Sequence, residues 1–254
     1  METGKPLVWR LVDSGVVSPE YSAASDEAIV NARRTGSVPN TVHFYTRDSP
    51  TISIGYNRSV EKSVFTEEAA RRNVKVIRRF SGGSAVFTDR GQLIFALVLD
   101  ASLLPSDIIE SYEKVCRAVI RGLSILGIKA EYKPVNDILV GGKKISGSAQ
   151  LRRGGVVLHH GTMLVDTDLE SMAAVLKPPQ SKKDDQSVMN HVTSLREATG
   201  EAPDMQVLKR ALVKGISDAF GVTLYLGSLT PHEVADIDRL TEEKYGSRDW
   251  NWKI

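Results

Sequence analysis

The sequence predicts an α+β fold in which helices flank a mixed, largely antiparallel sheet, and three observations predict it. Helical and strand periodicities mix without a regular βαβ repeat. Four short strand patterns follow one another between residues 129 and 165. The turns between them, Gly141-Gly142 and Arg152-Arg153-Gly154-Gly155, have the spacing of antiparallel hairpins.

Taken in order, Val8 to Val12 reads as a strand, Ser22 to Arg34 as a helix, and Thr41 to Tyr45 and Thr51 to Tyr56 as two further strands. A helix from Thr66 to Arg72 leads to a strand from Val74 to Arg79, a Ser-Gly-Gly turn, and the apolar strand Leu93 to Leu99. Pro105 to Leu126 is predicted as a helix because Ile108, Ile109, Tyr112, Val115, Val119, Ile120 and Leu123 recur at helical spacing. Cys116, the only cysteine, falls among them and reads as core packing, which excludes an intrachain disulfide and a cysteine-rich zinc site. Short strands follow at Lys129 to Lys133, Asp137 to Val140, Lys143 to Leu151 and Val156 to Val165. A helix around Leu169 to Leu176 stops before Pro178-Pro179, and Gln180 to Asn190, centred on Lys182-Lys183-Asp184-Asp185, reads as an exposed loop. Amphipathic helices run from Met205 to Phe220 and from Pro231 to Tyr245, the latter opening on Thr230-Pro231 as N-cap and first helical residue. No repeat or low-complexity linker divides the chain, so residues 1–254 are read as one catalytic-size domain.

Composition adds bounds. With 41% hydrophobic and 25% charged residues the chain resembles an ordinary soluble globular protein. A net charge of +2 without a dense basic block argues against nucleic acid and leaves room for an acidic protein partner. No apolar run reaches the roughly 18 residues of a membrane span, and Met1-Glu2-Thr3-Gly4-Lys5 lacks signal-peptide features, so the expected location is cytoplasmic.

Two stretches carry the chemistry. In Arg78-Arg79-Phe80-Ser81-Gly82-Gly83-Ser84-Ala85-Val86-Phe87, two arginines precede a turn of small residues whose N–H groups can meet an anion. In Asn136-Asp137-Ile138-Leu139-Val140-Gly141-Gly142-Lys143-Lys144-Ile145-Ser146-Gly147-Ser148-Ala149, a lysine enters a strand. Strict alternation places Lys144, Ser146, Ser148 and Gln150 on one face, as a site wall, and Ile145, Gly147 and Ala149 on the other. On the companion strand His160, Thr162 and Leu164 share a face, and Gly161 permits close backbone approach. Together the two stretches read as a nucleotide and acyl-adenylate site. A Walker P-loop, a Gly-x-Gly-x-x-Gly turn and a Gly-x-Ser-x-Gly elbow are all missing. His159 and His160 are adjacent on a strand, point to opposite faces and cannot chelate one metal together.

These motifs, with His159-His160-Gly161-Thr162-Met163-Leu164, resemble the catalytic domain of lipoate–protein ligases, four motifs in the family's order over about 85 residues. The resemblance implies the fold shared by biotin–protein ligases and class II aminoacyl-tRNA synthetases. It implies an ATP- and magnesium-dependent ligase that activates lipoate to lipoyl-adenylate and passes it to a lysine of a lipoyl carrier domain, of the 2-oxoacid dehydrogenase E2 or glycine-cleavage H-protein type. By the same resemblance Lys144 is the catalytic residue, contacting the α-phosphate and the acyl carboxylate. Arg79, Gly82, Gly83, Ser84, Ala85, Val86, Phe87, Asn136, Asp137, Ser146, Ser148, His160 and Thr162 are the nucleotide and adenylate contacts, with Asp137 the candidate magnesium ligand.

The chain departs from the family pattern in Ser84, where a third glycine is usual, and in Thr88-Asp89, where histidine-aspartate is common. It also lacks the C-terminal accessory domain of larger ligases, which implies a bipartite ligase with a separate accessory subunit. Two alternatives stay open: an ATP-independent lipoyl or octanoyl transferase of the same fold, and a non-catalytic lipoate- or nucleotide-binding subunit.

Overall fold

The computed structural model describes residues 7–178 and 191–253. The predicted loop Gln180 to Asn190 lies outside the described residues. Among the described residues eleven strands are formed: β1 (Leu7–Val17), β2 (Thr41–Arg47), β3 (Thr51–Ile54), β4 (Lys75–Arg78), β5 (Val86–Thr88), β6 (Gln92–Asp100), β7 (Ala130–Lys133), β8 (Asp137–Val140), β9 (Lys143–Arg153), β10 (Val156–Leu164) and β11 (Val222–Leu226). The α-helices are α1 (Pro19–Arg34), α2 (Val60–Ser63), α3 (Thr66–Arg71), α4 (Ile108–Ile125), α5 (Leu169–Val175), α6 (Leu195–Thr199), α7 (Met205–Phe220), α8 (Pro231–Leu240) and α9 (Arg248–Asn251).

Eight strands form one sheet in the order β11-β1-β2-β6-β10-β9-β8-β7, antiparallel from β2 onward and parallel across β11-β1-β2. This is the mixed, largely antiparallel sheet expected. A second sheet, β4-β3-β5, stands apart from it, and two of its strands flank the Ser-Gly-Gly turn. Strand β11 carries no clear alternation, and its parallel pairing with β1 joins segments some two hundred residues apart.

Helix ends follow local chemistry. The Ser18 hydroxyl accepts the Tyr21 N–H, so α1 starts at Pro19, three residues before its apolar periodicity begins. Asp107 caps α4, which starts at Ile108 rather than Pro105. Thr230 and Glu233 form a reciprocal capping box on α8. α8 then gives way at Thr241 to a π-helical turn, so the predicted Pro231 to Tyr245 segment is two elements.

The two faces of the large sheet have different roles. Leu93, Phe95, Leu97 and Leu99 of β6 face the main core with Val115, Val119 and Leu123 of α4 and Leu208, Leu212 and Ile216 of α7. Burying each such side chain contributes about 1.5–3 kcal/mol, which makes this the anchoring side of the molecule. Ala96 and Val98, on the opposite face of β6, pack under Ile29 and Val30 of α1. Between α1, the small sheet and α5, that second face opens into a cavity. Among the described residues no helix is long and apolar enough to cross a membrane.

Candidate active site

A cavity of about 220 Å³ opens on the α1 face of the large sheet. Its wall includes Arg79, Gly83, Ser84, Ala85, Val86, Phe87, Asn136, Lys144, Ser148, His160 and Thr162, so the two motif stretches and the histidine strand converge on one space. Leu164, Met172, Leu176 and Val192 extend the apolar part of the wall. Three predicted contacts do not line it: Gly82, Asp137 and Ser146.

Ser146 is a correction to the alternation argument. Opposite β10, Gly147 pairs with Thr162 and Ala149 with His160, so the small residues face the cavity. Ser146 pairs with Met163, a core residue, and is only 1% exposed, while Gln150 meets His159 and Ser111 on the α4 side. The cause is a bulge. β8 residues Ile138 and Leu139 are consecutive, but their partners are Ser146 and Lys144, which leaves Ile145 as the extra residue. Beyond it the alternation is rephased, so Lys144 and Gly147 share the cavity face. A β-carbon on Gly147 would stand 2.5 Å from Lys144 Nζ.

Lys144 is fixed from two sides. Its backbone N–H donates to the His191 carbonyl and its own carbonyl accepts from the Thr193 N–H, which ties β9 to residues 191–193. Its ammonium meets Asp137 Oδ1 at 2.6 Å. Asp137, the expected magnesium ligand, is therefore the counterion of the lysine. Among the described residues no cluster of three or more His, Cys, Asp or Glu side chains could hold a metal ion. Asn136 donates through Nδ2 to the Ser148 carbonyl and accepts from the Ser148 N–H, clasping the strand after the bulge.

The arginine pair serves the backbone. Arg78 donates to carbonyls of Gly55, Tyr56 and Arg58 on one side and of Trp250, Asn251 and Lys253 on the other, stapling the chain end to the 55–58 loop. Arg79 donates to the carbonyls of Ser53, Gly82 and Ser84, at 2.7 to 3.1 Å. The fork expected to grip a phosphate grips the Ser-Gly-Gly-Ser loop instead. Burial, reinforced by the charge of Arg47, pushes the Arg79 guanidinium down to about 10. The loop is pressed against its neighbour as well. A β-carbon on Gly55 would lie 2.1 Å from the Gly83 carbonyl oxygen, so only glycine fits there. So arranged, the N–H groups of Gly83, Ser84 and Ala85 have no hydrogen-bond partner among the described residues. These residues line the cavity, and successive backbone N–H groups in such a turn can meet an anion.

Beneath the loop runs a buried polar network that sequence reasoning missed apart from His160. Asp26 of α1, 2% exposed, accepts from His43 Nδ1, His160 Nδ1 and the Tyr45 hydroxyl at 3.0 to 3.2 Å. Burial alone would raise its pKa; bonds from His160 and His43 outweigh that and hold it well below the usual carboxylate range. The other ring nitrogen of His160 bonds the Ser81 hydroxyl at 2.7 Å, which fixes the start of the loop. Cys116 sits on α4, and burial pushes its thiol up to about 12, so it is protonated at neutral pH.

Comparison with known proteins agrees with the geometry and corrects the chemistry. The family described as Lipoyl protein ligase A/B catalytic domain matches residues 18–217. A curated relative named Octanoyltransferase LipM, from Kyrpidia tusciae, is 33% identical over 96% of this chain and 98% of its own length. Another of that name, from Symbiobacterium thermophilum, is 31% identical over 96% and 98%. A solved structure of a bi-partite lipoate protein ligase with its E2 lipoyl domain, from Thermoplasma acidophilum, superposes with a TM-score of 0.87 at 29% identity, over 97% of this chain and 96% of that one. The sequence expectation of an ATP-dependent lipoate ligase is overturned by the curated relatives, which span nearly the whole chain and are named as transferases. The fold, the cavity and these matches establish an enzyme of the lipoate ligase and transferase group, and the chain belongs to the lipoyl protein ligase A/B catalytic-domain family.

Proposed function

We propose that this chain transfers an octanoyl group, or its dithiolane-bearing counterpart lipoyl, from an activated thioester donor to the ε-amine of a lysine on a lipoyl-type carrier domain. The observation that carries this reading is the apolar cavity whose polar wall brings Lys144 together with the Gly83 to Ala85 loop, whose N–H groups have no partner among the described residues. The curated relatives support octanoyl as the group moved, and the E2 lipoyl domain named with the solved neighbour supports the class of acceptor.

A thioester is already activated, so no phosphoryl chemistry is needed for transfer. The acceptor amine attacks the thioester carbonyl, the oxyanion is stabilised by Lys144 and the loop donors, and the C–S bond breaks as the amide forms. The amine proton leaves with the thiol. Asp137 holds the lysine ammonium at the reacting end of the chain. The protonated, buried Cys116 favours direct attack by the acceptor over an acyl-enzyme on this thiol.

The test is transfer from an octanoyl thioester of a pantetheinyl carrier to a purified lipoyl domain, followed by mass spectrometry, with and without ATP and magnesium. Octanoylation of the domain without ATP is expected. Modification that occurs only with free acid and ATP would defeat the proposal.

A further inference from the structure

Among the described residues, Arg47 is the one cavity-lining cation that neither the motifs nor the proposed chemistry employ. It ends β2 and is 4% exposed, yet it borders the cavity. Nε donates to the Ser22 hydroxyl and Nη1 to the Thr88 hydroxyl, both at 3.0 Å. A guanidinium has five N–H groups, so three are left without an acceptor among the described residues. No carboxylate of the described residues pairs with it. Asp26 is taken by His43, His160 and Tyr45, and Glu20 by Lys75. Arg79, the other buried guanidinium on this wall, adds like charge, and its own donors are spent on the loop.

The position is well separated from Lys144. Tyr45 pairs with Ile94, Ile94 with Thr162, and Thr162 with Gly147, so β2 and β9 are three strand steps apart, roughly 14 Å. The cavity thus has a cation at each side, Lys144 paired with Asp137 and Arg47 in no salt bridge among the described residues, with the charges of Asp26 and Glu20 acting on it without direct contact. A buried cation with unspent donors, bordering a cavity, is a receptor for an oxyanion.

We propose that Arg47 forms a second anion subsite inside the cavity, for the carboxylate of an unesterified medium-chain acid. The aliphatic wall contributed by Ala23, Ile94 and Leu164 suits a monoanion carrying a hydrocarbon chain better than a hydrated phosphate. Such an acid would enter with its carboxylate toward Arg47, the opposite sense to a thioester whose carbonyl lies at Lys144. It would compete with the acyl donor.

Calorimetric titration of the whole chain with octanoate, with neutral octanamide and with inorganic phosphate tests this without donor or acceptor, so the outcome is independent of whether transfer occurs. Octanoate is expected to bind at least about tenfold more tightly than octanamide. Arg47→Gln should abolish that preference, Arg47→Lys should keep part of it, and Lys144→Met should leave it in place. Thermal unfolding of each variant checks folding, and the Arg47→Lys result carries the test if the glutamine variant fails to fold. Equal binding of acid and amide by the unaltered chain, a preference unchanged by both Arg47 substitutions, or one lost only in Lys144→Met would overturn the proposal. Displacement of octanoate by phosphate at similar affinity would overturn the assignment to a carboxylate.

Discussion

Lys144 Nζ and Asp137 Oδ1 stand 2.6 Å apart beside the bulge that rephases β9. The pair is partly exposed, with 35% and 27% of the two side chains accessible, so its contribution to stability is about 0–1 kcal/mol. Its consequence is positional: the ammonium is held over Gly147 at the cavity wall.

Asp137→Asn should therefore lower kcat/KM for acyl transfer about tenfold, equivalent to ~1.4 kcal/mol, with an unchanged urea midpoint. Lys144→Ala should lower it by about a hundredfold or more, because the charge that meets the developing oxyanion is lost. A folded Lys144→Ala protein with full turnover would remove the lysine from the mechanism.

Cys116 is 2% exposed and its thiol is pushed up to about 12 by burial. Cys116→Ser should keep transfer unchanged within assay error. Intact-protein mass spectrometry of the unaltered chain with donor alone should reveal no acyl adduct. A thioester adduct that disappears in the serine variant would establish an acyl-enzyme route instead.

Gly55→Ala would drive a β-carbon to 2.1 Å from the Gly83 carbonyl oxygen, and neither backbone can yield without moving the loop. We expect a loss of about 1–3 kcal/mol in urea unfolding, together with loss of transfer as the loop donors shift. An alanine variant with unaltered stability and turnover would count against close packing of the two segments.

His159 is held neutral in the core. Burial, with the neighbouring His160, pushes its pKa down to about 3, and Gln150 bonds its Nδ1 at 2.9 Å. The unfolded chain binds a proton near pH 6.5, whereas the folded chain does not until about 3. Stability from this group is therefore complete above pH 6.5 and is lost as pH falls from 6.5 toward 3. Urea unfolding across that range should show the decline, and His159→Gln should flatten it; an equal slope in both proteins would assign the acid sensitivity elsewhere.

The sequence by itself determined the fold class, most elements and the two loops that meet at the cavity. Hydrophobic periodicity and glycine turns are local signals, and local signals suffice for a hairpin-rich sheet with capped amphipathic helices. They also sufficed to bring Lys144, the Ser-Gly-Gly-Ser loop, His160 and Thr162 under notice, since each lies in a short motif. Only tertiary structure decided which way those residues face. The Ile145 bulge is a mismatch between β8 and β9, invisible in either strand alone, and it moved Ser146 to the core and Gly147 to the cavity. Arg78 and Arg79 are adjacent in sequence, and Arg79 was expected to meet phosphate; the carbonyls the pair serves come from segments up to 175 residues away. Asp26 and Arg47 carry no motif at all. Their roles arise because α1 and β2 pack beside β10 and the loop, where a buried charge must find partners from the rest of the fold or wait for a ligand.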